Sequence, residues 1–295
     1  MYTTLISAEE LRALKAANTP HMVFDCSFDL MAPHSGEQQF RASHIPGAVY
    51  ANLDTALSDK GMPDADGKYH TPADAASGGR HPLPSLEKFA FWLSKVGFSN
   101  DMQAVVYDRQ GNNYCGRLWW MLKWAGHASV AVLDGGLKAW TDAGGPTASG
   151  EETPHFQANF AQGEPLVTLA TTRVVFDGLN GKAQTIIDAR ATPRFKGEVE
   201  PLDPVAGHIP GALNRPFALN MGPDGKFKPA AQLKAEFEEL LGGRDPAGVV
   251  NQCGSGVSAV PNVLAMTIAG LGTPALYAGS WSEWCSDPSR PVEKG

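Results

Sequence analysis

The sequence is poor in cysteine. Its 295 residues include four, Cys26, Cys115, Cys253 and Cys285, and no two of them are separated by just two residues. So few thiols cannot form the disulfide framework of a small secreted domain, and the missing CxxC spacing argues against a structural zinc site. We therefore expect reduced thiols, no bound metal and a cytoplasmic protein.

Long apolar runs and clusters of basic residues are also missing. The most apolar region, residues 263–279, is interrupted by Gly270, Gly272 and Pro274 and is too short to cross a bilayer. The opening residues MYTTLISAEELRAL lack the cationic start and apolar core of a secretory signal. Because the net charge is −7 and Lys and Arg are scattered, neither nucleic acid nor a membrane is an expected partner.

What the sequence does contain is a long internal repeat. The segment RASHIPGAVYANL around His44 returns as VAGHIPGALNRPF around His208, and VLDGGLKAW returns as LYAGSWSEW. Between them, AVVYDRQGNNYCG aligns without a gap on GVVNQCGSGVSAV, which places Arg109 opposite Cys253. A repeat of about half the chain indicates two copies of one domain rather than a solenoid of short units.

The repeat divides the chain into three parts. We predict a first, non-catalytic domain over residues 1–146, a linker over 147–164 and a second, catalytic domain over 165–295. The linker is rich in Gly, Pro, Thr and Glu. The first copy also has extra residues at about 55–84, whose Asp, Gly, Pro and Lys content predicts a long functional loop.

Each copy alternates short apolar runs with helical patterns. MVFD, AVVYD and VAVLDGG in the first copy, and TIIDAR, GVVNQ and PALYAG in the second, are predicted strands. SLEKFAFWLSKVG and AAQLKAEFEELLGG have apolar residues at helical spacing and end in Gly. The alternation predicts an α/β fold in which each copy is a parallel sheet with helices on both faces.

The loop VVNQCGSGVSA places Cys253 between a predicted strand at 248–251 and a helix that begins near residues 258–261. Ligands of parallel sheets bind at such strand ends. Gly254 and Gly256 allow the backbone to curl with its N–H groups inward, beside a helix N-terminus, which stabilises an anion. A thiolate there is a candidate nucleophile. Alternatively, Cys253 is a small buried residue and the glycines only turn the chain.

Several segments together resemble the tandem-domain rhodanese-type sulfurtransferases, over essentially the whole chain. They are the two HIPGA segments, IIDARATPRFKGE, CGSGVSA and GSWSEW. The resemblance implies two rhodanese-like domains of which only the second is catalytic, and the alignment of Arg109 with Cys253 agrees with that asymmetry. Within the family, the loop CGSGV is similar to that of 3-mercaptopyruvate sulfurtransferases, whereas thiosulfate-preferring enzymes have basic residues directly after the cysteine.

The resemblance also implies a reaction. The Cys253 thiolate attacks the sulfur of 3-mercaptopyruvate, forms a persulfide and releases pyruvate. An acceptor such as thioredoxin, a small thiol or cyanide then removes the outer sulfur. No metal or organic cofactor is implied.

The resemblance assigns roles to further residues. Ser255, His81 and Asp54 match a serine, histidine and aspartate that move the proton. Arg194 matches an arginine that binds the carboxylate of the donor. The backbone N–H groups of the loop are expected to hold the persulfide, and the residues concerned are Gly254, Gly256, Val257 and Ser258.

One expected feature is replaced. Leu202 stands where mercaptopyruvate enzymes have a second arginine, which predicts weaker donor binding, and Arg215 is a candidate replacement. Thiosulfate sulfurtransferase is therefore an alternative function, as is a non-catalytic sulfur carrier or redox sensor in which Cys253 is a modifiable switch. A Cys-x5-Arg phosphatase is excluded because Ala259 stands where its arginine is required.

Overall fold

A computed structural model describes residues 1–67, 69–179, 181 and 183–295. By its internal contacts the chain divides into two units. The first comprises Met1–Ser58, Pro84–Leu166 and Pro223–Lys226, and the second comprises Asp59–Leu83, Val167–Gly222 and Phe227–Gly295. Most of the extra segment of the first copy therefore makes its contacts in the second unit. Within the described residues, no helix combines the length and apolar character that a membrane span requires.

The first unit contains a sheet of five strands. They are β1 (Leu5–Ile6), β2 (His21–Asp25), β3 (Val49–Tyr50), β4 (Gln103–Tyr107) and β5 (Val130–Leu133). Their order in the sheet is β1-β5-β4-β2-β3, and every pair is parallel. All five residues of β4 are buried, as expected for a central strand with both faces covered.

Helices cover both faces of this sheet. They are α1 (Ala8–Ala16), α2 (Ser35–Ala42), α3 (Leu86–Lys95), α4 (Cys115–Trp124) and α5 (Gly136–Asp142). Successive strand residues point to opposite faces, and β2 demonstrates this. Val23 packs in a core cluster with Leu11 of α1 and Trp140 of α5. The ring of Phe24 lies 6.0 Å from that of Trp92 on α3.

The second unit repeats this design with four strands. They are β6 (Thr185–Asp188), β7 (Leu213–Asn214), β8 (Val249–Gln252) and β9 (Ala275–Leu276), in the order β7-β6-β8-β9, and all pairs are parallel. The helices are α6 (Thr172–Asp177), α7 (Thr192–Phe195), α8 (Ala230–Leu241), α9 (Val260–Ile268) and α10 (Ser280–Trp284). The predicted α/β fold with two parallel sheets is confirmed.

Local sequence explains where several helices begin and end. In α1, the Ser7 side chain accepts the N–H of Glu10 and the Glu10 carboxylate accepts the N–H of Ser7, which is a capping box. Helix α8 ends at Gly242 in the left-handed region, with φ of +56°. Helix α9 has Pro261 in its first turn, where a missing N–H costs nothing.

Candidate active site

Cys253 is the first residue after β8, an inner strand of its sheet. It is 2% exposed. Its N–H donates to Oγ of Ser280 (3.1 Å), and its carbonyl accepts the N–H of Trp281 (3.0 Å). The start of α10 therefore fixes the backbone of Cys253 at the end of the sheet where ligands of parallel sheets bind.

Ser280 is a functional position that sequence reasoning missed. Its φ of +54° lies in the left-handed region, which is unfavourable for serine. The hydroxyl accepts the Cys253 N–H and donates to the carbonyl of Tyr277 (2.8 Å), and these bonds hold the strained residue in place. A signal was available, because the repeat aligns Ser280 with Gly136, whose φ is +59°.

The loop after Cys253 offers donors to an anion. The backbone N–H groups of Gly254, Ser255, Val257 and Ser258 have no acceptor among the described residues. Gly256 has a φ of +73°, and a Cβ there would lie 2.1 Å from the carbonyl of Ala278, so only glycine fits. N–H groups without an acceptor, within five residues of a thiol, are candidate donors to a negatively charged sulfur.

In the first unit, the carboxylate of Asp108 fills the corresponding loop. Oδ1 of Asp108 accepts the N–H groups of Gln110 and Asn112 (both 2.9 Å). Oδ2 accepts those of Tyr114 (2.8 Å) and Cys115 (3.0 Å). Burial raises the pKa of the Asp108 carboxyl, and these four bonds act against that rise. The anion cradle of the first copy is therefore occupied.

Arg109 stands opposite Cys253 in the repeat, and both of its Nη atoms have acceptors. Its guanidinium donates to Oδ2 of Asp25 (2.8 Å), to Oγ of Ser27 (2.5 Å) and to the carbonyl of Ser43. At the position of Cys253 the first unit thus has an arginine, and the loop that follows is filled by the Asp108 carboxylate. The repeat aligns Asp108 with Gln252, so this difference was also visible in the sequence.

His81 and Ser255 are brought together in the second unit. Nδ1 of His81 lies 2.8 Å from Oγ of Ser255, and the two residues are 1% and 6% exposed. The segment that supplies His81 is anchored nearby, because the N–H of Arg80 donates to Oγ of Ser282 (2.9 Å). A hydroxyl two residues after Cys253 therefore has a buried imidazole as its hydrogen-bond partner.

Asp54, the third predicted member of this group, lies in the first unit. It is half-buried, and its N–H donates to Oδ1 of Asn52 (2.8 Å). Its predicted role beside His81 stays a prediction.

Arg194, on α7, is held by two buried carboxylates. Its Nη2 lies 2.7 Å from Oε1 of Glu200 and 3.1 Å from Oδ2 of Asp203. Burial acts against ionisation of both carboxyls. It raises the pKa of Asp203, whereas at Glu200 the hydrogen bonds from Arg194, Leu202 and Asp203 and the charge of Arg194 together outweigh burial and lower the pKa. Leu202 takes part through its backbone, since its N–H donates to Oε1 of Glu200 (3.0 Å).

Arg80 is a second cation at this place, and sequence reasoning missed it. Its Nη1 donates to Oδ1 of Asp203. A Cβ built on Gly254 would meet Nη2 of Arg80 at 3.1 Å and Nη1 of Arg194 at 3.4 Å. Two guanidinium groups therefore border the residue that follows Cys253. The available signal was the position of Arg80 directly before His81 in RHPLP.

Arg215 has other partners. Its guanidinium lies 2.7 Å from Oε2 of Glu236 and 3.0 Å from Oδ1 of Asn220, and it stacks over the ring of Phe237. These contacts link α8 to the segment after β7. The substrate-binding role predicted for Arg215 stays a prediction.

The other three cysteines are buried. Burial raises the pKa of the Cys26, Cys115 and Cys285 thiols. Thiols react as thiolates, so these three are poor nucleophiles. No group of three or more His, Cys, Asp or Glu side chains within the described ranges is arranged to hold a metal ion.

Fold and loop together define a class: two parallel α/β units, of which the second has a cysteine directly after an inner strand and at the start of a glycine-containing loop. A family model described as the rhodanese-like domain matches residues 7–143 and 174–287. The chain belongs to the rhodanese family, as predicted.

Sulfurtransferases of known sequence are similar to this chain over nearly its full length. A probable 3-mercaptopyruvate sulfurtransferase of Pseudomonas aeruginosa is 41% identical over 293 residues, 99% of this chain and 98% of that one. A putative thiosulfate sulfurtransferase, SseB of Mycobacterium tuberculosis, is 38% identical over 99% of this chain and 97% of its own. The crystal structure of SseA from Escherichia coli, described as a 3-mercaptopyruvate sulfotransferase, is 28% identical with a TM-score of 0.77, covering 95% of this chain and 100% of its own.

Proposed function

We propose that this protein transfers sulfur from 3-mercaptopyruvate through a Cys253 persulfide to a thiol or cyanide acceptor, releasing pyruvate. The main support is the 2.8 Å contact between His81 and Ser255, where Ser255 lies two residues after the nucleophile Cys253. A sulfur carrier or redox switch needs no buried hydroxyl–imidazole pair, whereas cleavage of a carbon–sulfur bond needs a proton to be moved.

The first half-reaction balances without any added reagent. Sγ of Cys253 attacks the donor sulfur, an S–S bond forms, and the C–S bond breaks with its electron pair moving to the enolate of pyruvate. The donor thiol loses a proton and the enolate carbon gains one. We assign the movement of that proton to Ser255 and His81, with Asp54 of the first unit as the third member of the relay.

The second half-reaction returns the enzyme to its starting state. A nucleophilic acceptor attacks the outer sulfur, the S–S bond breaks, and the Cys253 thiolate is released. The N–H groups of the 254–258 loop are suited to hold the charge on both the persulfide and the thiolate. Thioredoxin, a small thiol and cyanide all have the required nucleophile.

The acidic donor fits the charges around the loop. Arg194 is the proposed carboxylate ligand, because a guanidinium matches a carboxylate in a bidentate arrangement. Gly254 and Ser255 place no cationic side chain within the loop itself, which favours mercaptopyruvate over dianionic thiosulfate.

Thiosulfate sulfurtransferase is the second candidate. It is favoured by the two guanidinium groups beside Gly254, which suit any small anion, and by the name of the M. tuberculosis relative.

A steady-state comparison separates the two. Pyruvate release from 3-mercaptopyruvate is measured with a thiol acceptor, and thiocyanate formation is measured from thiosulfate and cyanide. We expect the higher kcat/KM with mercaptopyruvate. A higher value with thiosulfate would reverse the assignment.

A further inference from the structure

Two arginines from separate parts of the second unit converge on the residue after Cys253. Arg80 comes from residues 59–83, and Arg194 comes from α7. Their terminal nitrogens lie 3.1 and 3.4 Å from the position that a Cβ on Gly254 would take. The absence of a side chain at Gly254 is what leaves these nitrogens unobstructed.

Each guanidinium is held on one side only. Nη1 of Arg80 donates to Asp203, and Nη2 of Arg194 donates to Glu200 and Asp203. The nitrogens nearest Gly254, Nη2 of Arg80 and Nη1 of Arg194, have no acceptor among the described residues, and neither does the buried Nε of Arg80. Both arginines therefore have donors left for an anion.

The carboxylates and the guanidinium groups differ in their exposure to solvent. The side chains of Glu200 and Asp203 are 3% and 4% exposed, whereas those of Arg194 and Arg80 are 18% and 22% exposed. The carboxylates are thus withdrawn from solvent and the guanidinium groups are accessible. Carboxylates that fix the arginine rotamers reduce the entropy lost when an anion binds.

We propose that Arg80, together with Arg194, binds the carboxylate of the sulfur donor and so supplies the second cation that Leu202 does not. This inference rests on the proposed function, in which the donor is a small carboxylate. If Arg80 supplies the second cation, Leu202 is no longer a reason to expect weak donor binding. The second arginine then comes from a segment that precedes the catalytic copy in the sequence.

The first test is Arg80→Met, which keeps an unbranched apolar stem and removes the charge. The matched control is Arg173→Met on α6, whose side chain is 90% exposed and pairs with Asp177 at 3.5 Å. Loss of one charge-assisted contact should raise KM for 3-mercaptopyruvate about 10- to 150-fold in Arg80→Met. Because that contact is made equally in ground and transition states, kcat should stay within about twofold. Arg173→Met should match the unaltered protein.

The second test does not depend on turnover. Alkylation of Cys253 is followed on its peptide with iodoacetate, which has a carboxylate, and with neutral iodoacetamide. The ratio of the two rates should fall about tenfold or more in Arg80→Met through loss of one charge-assisted contact, with the iodoacetamide rate unchanged. A purely structural tie between Arg80 and Asp203 would instead alter both rates together.

The outcomes separate this inference from the proposed function. An unchanged KM with an unchanged alkylation ratio overturns the role of Arg80, as does an equal fall in both alkylation rates. If the unaltered protein releases no pyruvate but the ratio still falls in Arg80→Met, the proposed donor is wrong and the anion site stands.

Discussion

The hydrogen bond between Ser255 and His81 gives the sharpest prediction about catalysis. At 2.8 Å, with both residues buried, it is shielded from competing water. A positioned acid–base group contributes about 10²- to 10⁴-fold to the rate. Since Ser255 would only pass on a proton that the donor itself supplies, we take the lower end. Ser255→Ala and His81→Ala should each reduce pyruvate release about 100-fold, equivalent to about 2.7 kcal/mol of transition-state stabilisation.

The double variant distinguishes a relay from two independent contributions. Residues that act as one unit give grossly non-additive losses, so Ser255→Ala/His81→Ala should be little slower than either single variant. The assay is single-turnover pyruvate release at saturating donor. His70→Ala is the control, because His70 lies on the same segment, is 61% exposed and pairs with Asp64. Multiplicative losses of about 10⁴-fold in the double variant would refute the relay.

Two further predictions concern stability. In Asp108→Asn the amide NH₂ replaces one carboxylate oxygen, so two of the four loop N–H groups face donors and are left unsatisfied at about 1–3 kcal/mol each. The urea midpoint of the first unit should therefore fall, whereas the control Asp142→Asn, at a side chain 61% exposed on α5, should not shift it. An unchanged midpoint in Asp108→Asn would contradict the interpretation that Asp108 fills the loop. At Glu236, burial acts to raise the pKa, but hydrogen bonds from Arg215, Lys228 and Gln232 and the charge of Arg215 together outweigh it and lower the pKa to about 2. Its contribution is therefore fully present above about pH 4.5 and lost as pH falls toward 2, so Glu236→Gln should cost up to about 3 kcal/mol at neutral pH and flatten the acid loss. Urea unfolding at several pH values checks this, with Glu238→Gln, 56% exposed on the same helix, as control; an unaltered pH profile in Glu236→Gln would show that the ion pair contributes nothing.

The fold was predictable because its signals are local and occur twice. Apolar runs bounded by turns predict buried parallel strands, and β8 at Val249–Gln252 lies within one residue of the predicted strand. The repeat then indicated that only the second copy has a cysteine at this aligned position, because Arg109 stands opposite Cys253. The domain limits of 1–146 and 165–295 and the cytoplasmic location stay predictions.

The parts of the site that escaped prediction depend on contacts between distant segments. Arg80 lies in the first copy by sequence, yet residues 59–83 make their contacts in the second unit, and nothing in their composition says so. Ser280 and Asp108 were visible only through their partners in the repeat, Gly136 and Gln252. Comparing the aligned residues, glycine with serine in one case and aspartate with glutamine in the other, would have found both positions.

The central claim is that Cys253 alone receives the transferred sulfur. The direct measurement is the mass of the protein after incubation with 3-mercaptopyruvate and no acceptor, followed by peptide mapping. We predict the addition of one sulfur on the peptide that contains Cys253, and its absence in Cys253→Ser. The matched variants Cys26→Ser, Cys115→Ser and Cys285→Ser should all still gain it, because burial keeps these thiols protonated. Sulfur on any other cysteine, or pyruvate release by Cys253→Ser, would contradict the mechanism.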